Sequence, residues 1–144
     1  MAASPVSPFK MIASQITDFN CVNLMLAPCG ANEIQHALEG SCSAEHAGGV
    51  WRGHIAFRYQ ALWKPDDEIQ LQITVQSQSF FEYTAEDTKE EKARFEHLLK
   101  TNGAIAALAI LRTNTHVTAN TLGVRVPILI PNINLKEFVW KTDP

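Results

Sequence analysis

The chain has 144 residues, 46% hydrophobic and 19% charged, with a formal net charge of −3 at pH 7. That length suits one domain, residues 1–144, able to bury a core without disulfide or metal staples. The weakly acidic balance gives no electrostatic ground for binding nucleic acid, and no apolar run reaches the ~20 residues of a membrane span.

Met1–Pro8 carries serines, alanines and two prolines and reads as a loose lead-in. It lacks a signal-peptide pattern, so a cytoplasmic protein is expected. Residues 9–26 are strand-like. Phe9, Met11, Ala13 and Gln15 alternate with Lys10, Ile12, Ser14 and Ile16, whereas Phe19 and Cys21 oppose Val22, Leu24 and Leu26. The change of face near Asp18–Asn20 predicts a bulge or a break. Pro28, Gly30 and Asn32 then punctuate a loop.

In residues 33–45, Ile34, His36, Leu38, Gly40 and Cys42 alternate with Glu33, Gln35, Ala37, Glu39 and Ser41, a strand weakened by its glycine. Ala47, Gly48 and Gly49 form a turn. Trp51, Gly53, Ile55, Phe57, Tyr59, Ala61 and Trp63 then share one face, with Arg52, His54, Arg58, Gln60 and Lys64 on the other. That is a half-buried strand. After a turn at Pro65–Asp67, Ile69, Leu71, Ile73 and Val75 oppose Gln70, Gln72, Thr74 and Gln76 in a strand that continues to Tyr83. The glutamine-rich face is either solvated or set against another subunit. Four strands joined by short turns before any helix predict an antiparallel meander.

A helix follows. Thr84 or Asp87 can cap it, Asp87 and Glu90 have capping-box spacing, and the acidic first turns suit the positive end of the dipole. Phe95, Leu98 and Leu99 form an apolar stripe. Gly103 costs about 1 kcal/mol in a helix interior and predicts a kink or break at Asn102-Gly103. Beyond it Ile105, Leu108 and Leu111 lie on one face, with Ile110 and several alanines covering the others. A helix apolar all round is buried on more than one side, and one sheet covers only one. The second cover is expected from another subunit, with Ile105, Leu108, Leu111 and Arg112 as the oligomer interface; a helix wrapped by the chain's own loops is the alternative. Gly123 ends the helix, Pro127 and Pro131 bracket an extended apolar loop, and Asn132–Asn134 can cap a short helix over 135–140.

The stretch AILRTNTHVTANTLGVRVPILIPNINLKEF, residues 109–138, resembles the SecB protein-export chaperones, with Arg112, Pro127, Leu129, Pro131, Ile133, Asn134, Leu135 and Phe138 at matching places. The resemblance implies an α+β fold: a four-stranded antiparallel sheet, a long kinked helix, a connecting loop and a short C-terminal helix. It implies a cytoplasmic chaperone, a homotetramer built as a dimer of dimers. Such a protein holds unfolded polypeptides for export and delivers them to the SecA motor, with no cofactor and no catalysis. The terminal helix is expected to be short, ending after Trp140 without the polar tail that helps the family contact the motor, so holding unfolded chains is expected ahead of delivery for export. Family-like chaperones also serve toxin–antitoxin systems, and a dedicated chaperone of one antitoxin is the first alternative. A small α+β enzyme or ligand-binding domain with a pocket between sheet and helix is the second.

Unfolded clients expose apolar side chains, and exposed apolar or aromatic surface recognises them. The candidate lining is Val124, Val126, Ile128 and Ile130 on the connecting loop, with Phe80, Phe81 and Tyr83 at a strand end. Residues 26–32, which match the family's crossover loop, form the other wall. No catalytic or metal chemistry is expected. His36, His46, His54, His97 and His116 lie on different elements without ligand spacing. Cys29 has no evident paired histidine, and Cys21, Cys29 and Cys42, odd in number and widely spaced, do not make a disulfide framework.

Overall fold

The computed structural model describes residues 8–141, so the expected lead-in lies outside the described residues except for Pro8. Four strands, β1 (Phe9–Asn23), β2 (Gln35–Ala47), β3 (Val50–Trp63) and β4 (Leu71–Thr84), form one antiparallel sheet in the order β1-β4-β3-β2. A long helix follows: α1 (Lys89–Leu98), a π-helical stretch Leu99–Gly103, and α2 (Ala104–Thr121).

The meander holds only for β2, β3 and β4. Gly48 and Gly49, with φ of 61° and 79°, make the two-residue turn that the right-handed twist of a hairpin favours. Asp66 and Asp67 take the left-handed region in the β3–β4 turn. The link over residues 24–34 is too long for a hairpin. It carries the chain across the sheet, so β1 lies beside β4, a Greek-key order. In β1 the register slips between Met11 and Ala13 and again between Ile16 and Asp18. Each slip flips the later side chains. Phe9, Met11, Ser14, Ile16, Phe19 and Cys21 therefore all face inward, opposite Tyr83, Phe81, Ser79, Ser77, Val75 and Ile73. Two bulges explain the imperfect alternation, one of them beside the expected change of face at Asp18–Asn20 and one nearer the start of the strand.

The helix packs on the face of Trp51, Ile55, Phe57, Tyr59, Leu71, Ile73, Val75 and Phe81, all buried. Its cap is Thr88, whose Oγ1 accepts the Glu91 N–H at 3.1 Å; Thr84 belongs to β4, and Asp87 lies in the turn before the cap. Phe95 and Leu99 are buried as expected, with Leu98 half-buried. They reach the sheet because Gly53 has no side chain: a Cβ there would stand 2.6 Å from Leu99 and 2.7 Å from Phe95. At Asn102-Gly103 the helix widens into the π-helical stretch instead of breaking.

The buried residues of α2 fall along one side of the helix, and the expected burial on more than one side is not seen within the chain among the described residues. Ala104, Ala107, Leu108, Leu111, Thr115 and Ala119 are buried, whereas Ile105, Ala109, Thr113 and Val117 stay exposed along the outer side. Val124, Val126, Ile128 and Ile130 alternate inward and join the core. The short C-terminal helix does not form. Asn134 makes one turn, accepting the Lys136 N–H on Oδ1 and the Glu137 N–H on its carbonyl, both at 3.1 Å. Phe138 and Trp140 are two apart, a spacing that puts both rings on one side only in an extended chain. The segment runs extended to a parallel bridge between Lys141 and Ser41.

Candidate functional site

Most residues expected to touch a client serve the core. Phe81 stacks on Phe9 at 5.4 Å, and Tyr83 stacks on Phe95 at 5.6 Å. The Tyr83 hydroxyl donates to Glu91 at 2.7 Å, and that hydrogen bond to a carboxylate raises the phenol pKa. Val124, Val126, Ile128 and Ile130 are buried within the chain. The loop's alternation was legible, but its more regular apolar set is the anchoring set; the outward set is Arg125, Pro127, Leu129 and Pro131. Phe80 alone of the expected lining is exposed, on the open sheet face, its ring 4.9 Å from that of His54.

The expected interface divides in the same way. Leu108 and Leu111 are buried inside the chain, and Ile105 is 60% exposed. Arg112 ties the connecting loop to the helix: its Nε donates to the Ile130 carbonyl at 3.2 Å and its Nη2 to the Pro131 carbonyl at 2.9 Å. A guanidinium placed on two successive carbonyls fixes the direction of the loop.

Exposed apolar side chains also lie on and beside the crossover. Leu24 is 58% exposed and Leu26 92% exposed, flanking the buried Met25 that anchors the crossover. The Leu24 N–H donates to the Gln70 carbonyl at 2.8 Å, beside exposed Ile69. Arg125 Nη1 donates to the Leu26 carbonyl at 3.3 Å, joining the crossover to the connecting loop. Exposed Leu122 lies at the end of α2 next to that junction in the chain. One hydrogen bond thus links two loops that each carry exposed leucines, Leu24 and Leu26 on the crossover and Leu129 on the connecting loop. The missed signal was positional: residues flanking an anchored apolar one in an extended segment point outward.

The open sheet face carries Gln72, Thr74, Gln76 and Gln78 on β4. A hollow of about 190 Å³ opens there, with Glu39, Ala56, Arg58, Gln78 and Lys141 in its wall. Lys141 Nζ sits 2.9 Å from Glu39 Oε2, and this contact lowers the Glu39 pKa. Among the described residues, no three His, Cys, Asp or Glu side chains converge as a metal-ligand set. Cys21, Cys29 and Cys42 lie half-buried on β1, the crossover and β2.

Comparison with known proteins places this geometry. No family model matches the chain, and no curated protein sequence matches it. Among solved structures it is similar to the Mycobacterium tuberculosis Rv1957 SecB-like chaperone in complex with a ChAD peptide from the Rv1956 HigA1 antitoxin. The TM-score is 0.60 at 14% identity, over 88% of this chain and 91% of that one. The α+β architecture, a four-stranded antiparallel sheet followed by one long helix, is thus a SecB-like fold.

Proposed function

We propose that this protein is a SecB-like chaperone without cofactor or catalysis, which holds an extended, apolar-rich segment of a client polypeptide. The observation that carries this reading is the likeness in fold, over nearly the whole of both chains, to a chaperone whose structure includes an antitoxin peptide. The exposed leucines of the crossover and the connecting loop support it as a surface for unburied apolar side chains. Because that neighbour's peptide comes from an antitoxin, a dedicated antitoxin client in the cytoplasm is favoured over a range of secretory precursors delivered to the SecA motor. The outer side of α2, with Ile105 and Val117 exposed, is the proposed contact between subunits of a homo-oligomer, in the extended form a dimer of dimers.

The test has two parts. The purified chain is added at equimolar ratio to an aggregation-prone protein diluted from urea, and light scattering is followed. Suppressed scattering is expected. The chain is also isolated from its native cytosol and its co-purifying polypeptides identified. One antitoxin supports the dedicated reading, and many secretory precursors would replace it with export. A chain that neither suppresses scattering nor carries a polypeptide is not a chaperone.

A further inference from the structure

The two halves of the long helix are held in different ways. Around the start of α1, which lies over β2, the ties are directional. The Tyr83 hydroxyl donates to Glu91 at 2.7 Å, the Trp51 Nε1–H donates to the Glu86 carbonyl at 3.1 Å, and His46 Nε2 lies 3.0 Å from the Ala85 carbonyl oxygen. The fully buried Phe95 ring packs among those of Tyr83, Phe9 and Trp51 at 5.6, 6.0 and 6.2 Å. By contrast α2, over β1 and β4, presents a smooth inner side of alanines, leucines and one threonine. Its side-chain hydrogen bonds run back along the helix at Thr113 and Thr121, or out to the connecting loop at Arg112. Thr115 Oγ1, on the inner side, is buried with no hydrogen-bond partner among the described residues, and so is Ser77 Oγ on the inner face of β4. A buried hydroxyl without a partner has lost its water and gained nothing in return, so the closed seat of α2 is poorer than its apolar contacts alone suggest.

Between the two halves lies the π-helical stretch Leu99–Gly103. The Ala104 N–H reaches back to the Leu99 carbonyl, and the Thr101 hydroxyl donates to the His97 carbonyl at 2.7 Å. A single π turn amounts to one residue inserted in an α-helix, a place where the bond ladder can be exchanged without breaking the axis. We propose that this stretch is a hinge, about which α2 and the connecting loop tied to it by Arg112 lift from β1 and β4 as one body while α1 stays docked. The helix beyond the hinge is then a lid, and its opening bares the β1–β4 part of the inner face, which carries Ile16, Phe19 and Val75. The hinge rests on the fold alone and does not depend on the chaperone reading. A few residues that absorb the change, with a well-anchored element on one side and a smoothly seated one on the other, are what hinged motion requires.

Native-state hydrogen exchange of the full chain, read amide by amide, tests this. The α2 amides from Leu108 to Ala119 are expected to share one opening and to be at least about tenfold less protected than those of Phe95 and Tyr59. Ile128→Cys, in a chain carrying Cys21→Ala, Cys29→Ala and Cys42→Ala, reports the loop by its rate of labelling with a thiol reagent. That rate is expected to follow the α2 opening. Deleting Asn102 removes the extra residue of the π turn and is expected to raise α2 protection about tenfold, to the level of Phe95. Thr115→Val, which removes the orphaned hydroxyl with little change of shape, is expected to narrow the gap by a smaller factor. Thermal melts establish that each variant is folded, and Thr115→Val decides the matter if the deletion does not fold. Equal protection along the whole helix overturns the proposal. So does labelling of the Ile128→Cys chain only at the rate of global unfolding, or a gap that neither variant narrows.

Discussion

The Tyr59 hydroxyl is buried at the centre of β3 and bonds to Nδ1 of His36 on the neighbouring strand. Burial drives the Tyr59 pKa far above the ordinary phenol value and holds that of His36 below the ordinary imidazole value. Both shifts favour the neutral pair, and the signs differ in consequence. The unfolded imidazole takes its proton near pH 6.5, before the folded one, so stability falls as pH drops through that value. The unfolded phenol loses its proton near pH 10, before the folded one, so stability falls as pH rises above it. The thiols of Cys21 and Cys29, also raised by burial, begin the alkaline loss earlier, and Tyr83 adds to it. Tyr59→Phe is expected to lower stability at neutral pH by about 1 kcal/mol and to flatten the loss above about pH 10. Urea midpoints from pH 5 to 11 measure both. Parallel curves for the two proteins would show that the phenol is not held neutral by the fold.

At the scale of elements, the helix and the terminal segment each approach the sheet over a glycine, Gly53 and Gly40. Gly53→Ala inserts a methyl into contacts with Leu99 and Phe95, both fully buried, and is expected to destabilise by about 1–3 kcal/mol. Urea denaturation reads this directly; an unchanged midpoint would mean the helix can ride up without loss. In sequence these glycines look like weak points in strands, since a glycine's neighbour across the fold is invisible there. The strands β3 and β4 were legible to within two residues because they alternate strictly beneath a helix. β1 was legible only as a strand with faults, because two bulges reset its phase. The terminal segment was misread because Asn134 does open a turn, and the sequence does not say that Phe57 and Gly40 wait for the next two rings. The client lining was misread for a related reason: Val124, Val126, Ile128 and Ile130 look exposed until the sheet beneath them is known.

At the scale of the whole molecule, two leucines and one isoleucine of α2 separate folding from assembly. Leu108 and Leu111 face the chain's own core, so Leu108→Ala is expected to cost about 2–5 kcal/mol whatever the oligomeric state. Ile105 faces outward, and Ile105→Asp is expected to leave the melting temperature nearly unchanged while lowering the sedimentation mass. A native chain that sediments as a monomer at micromolar concentration would remove the oligomer reading altogether.

The Greek-key order also sets a timetable. Phe9 pairs with Tyr83 and Asn23 with Leu71, so the first strand made is the last to find its neighbour. At synthesis rates of about 5–20 residues per second, β1 waits several seconds beyond the ribosome before β4 emerges. The β2–β3 hairpin closes locally in the meantime, β3–β4 follows as β4 emerges, and the long-range pairing of β1 comes last and slowly. A protein proposed to hold other chains in their extended state thus passes through such a state itself, with Met11, Ile16 and Phe19 uncovered until its own fourth strand arrives.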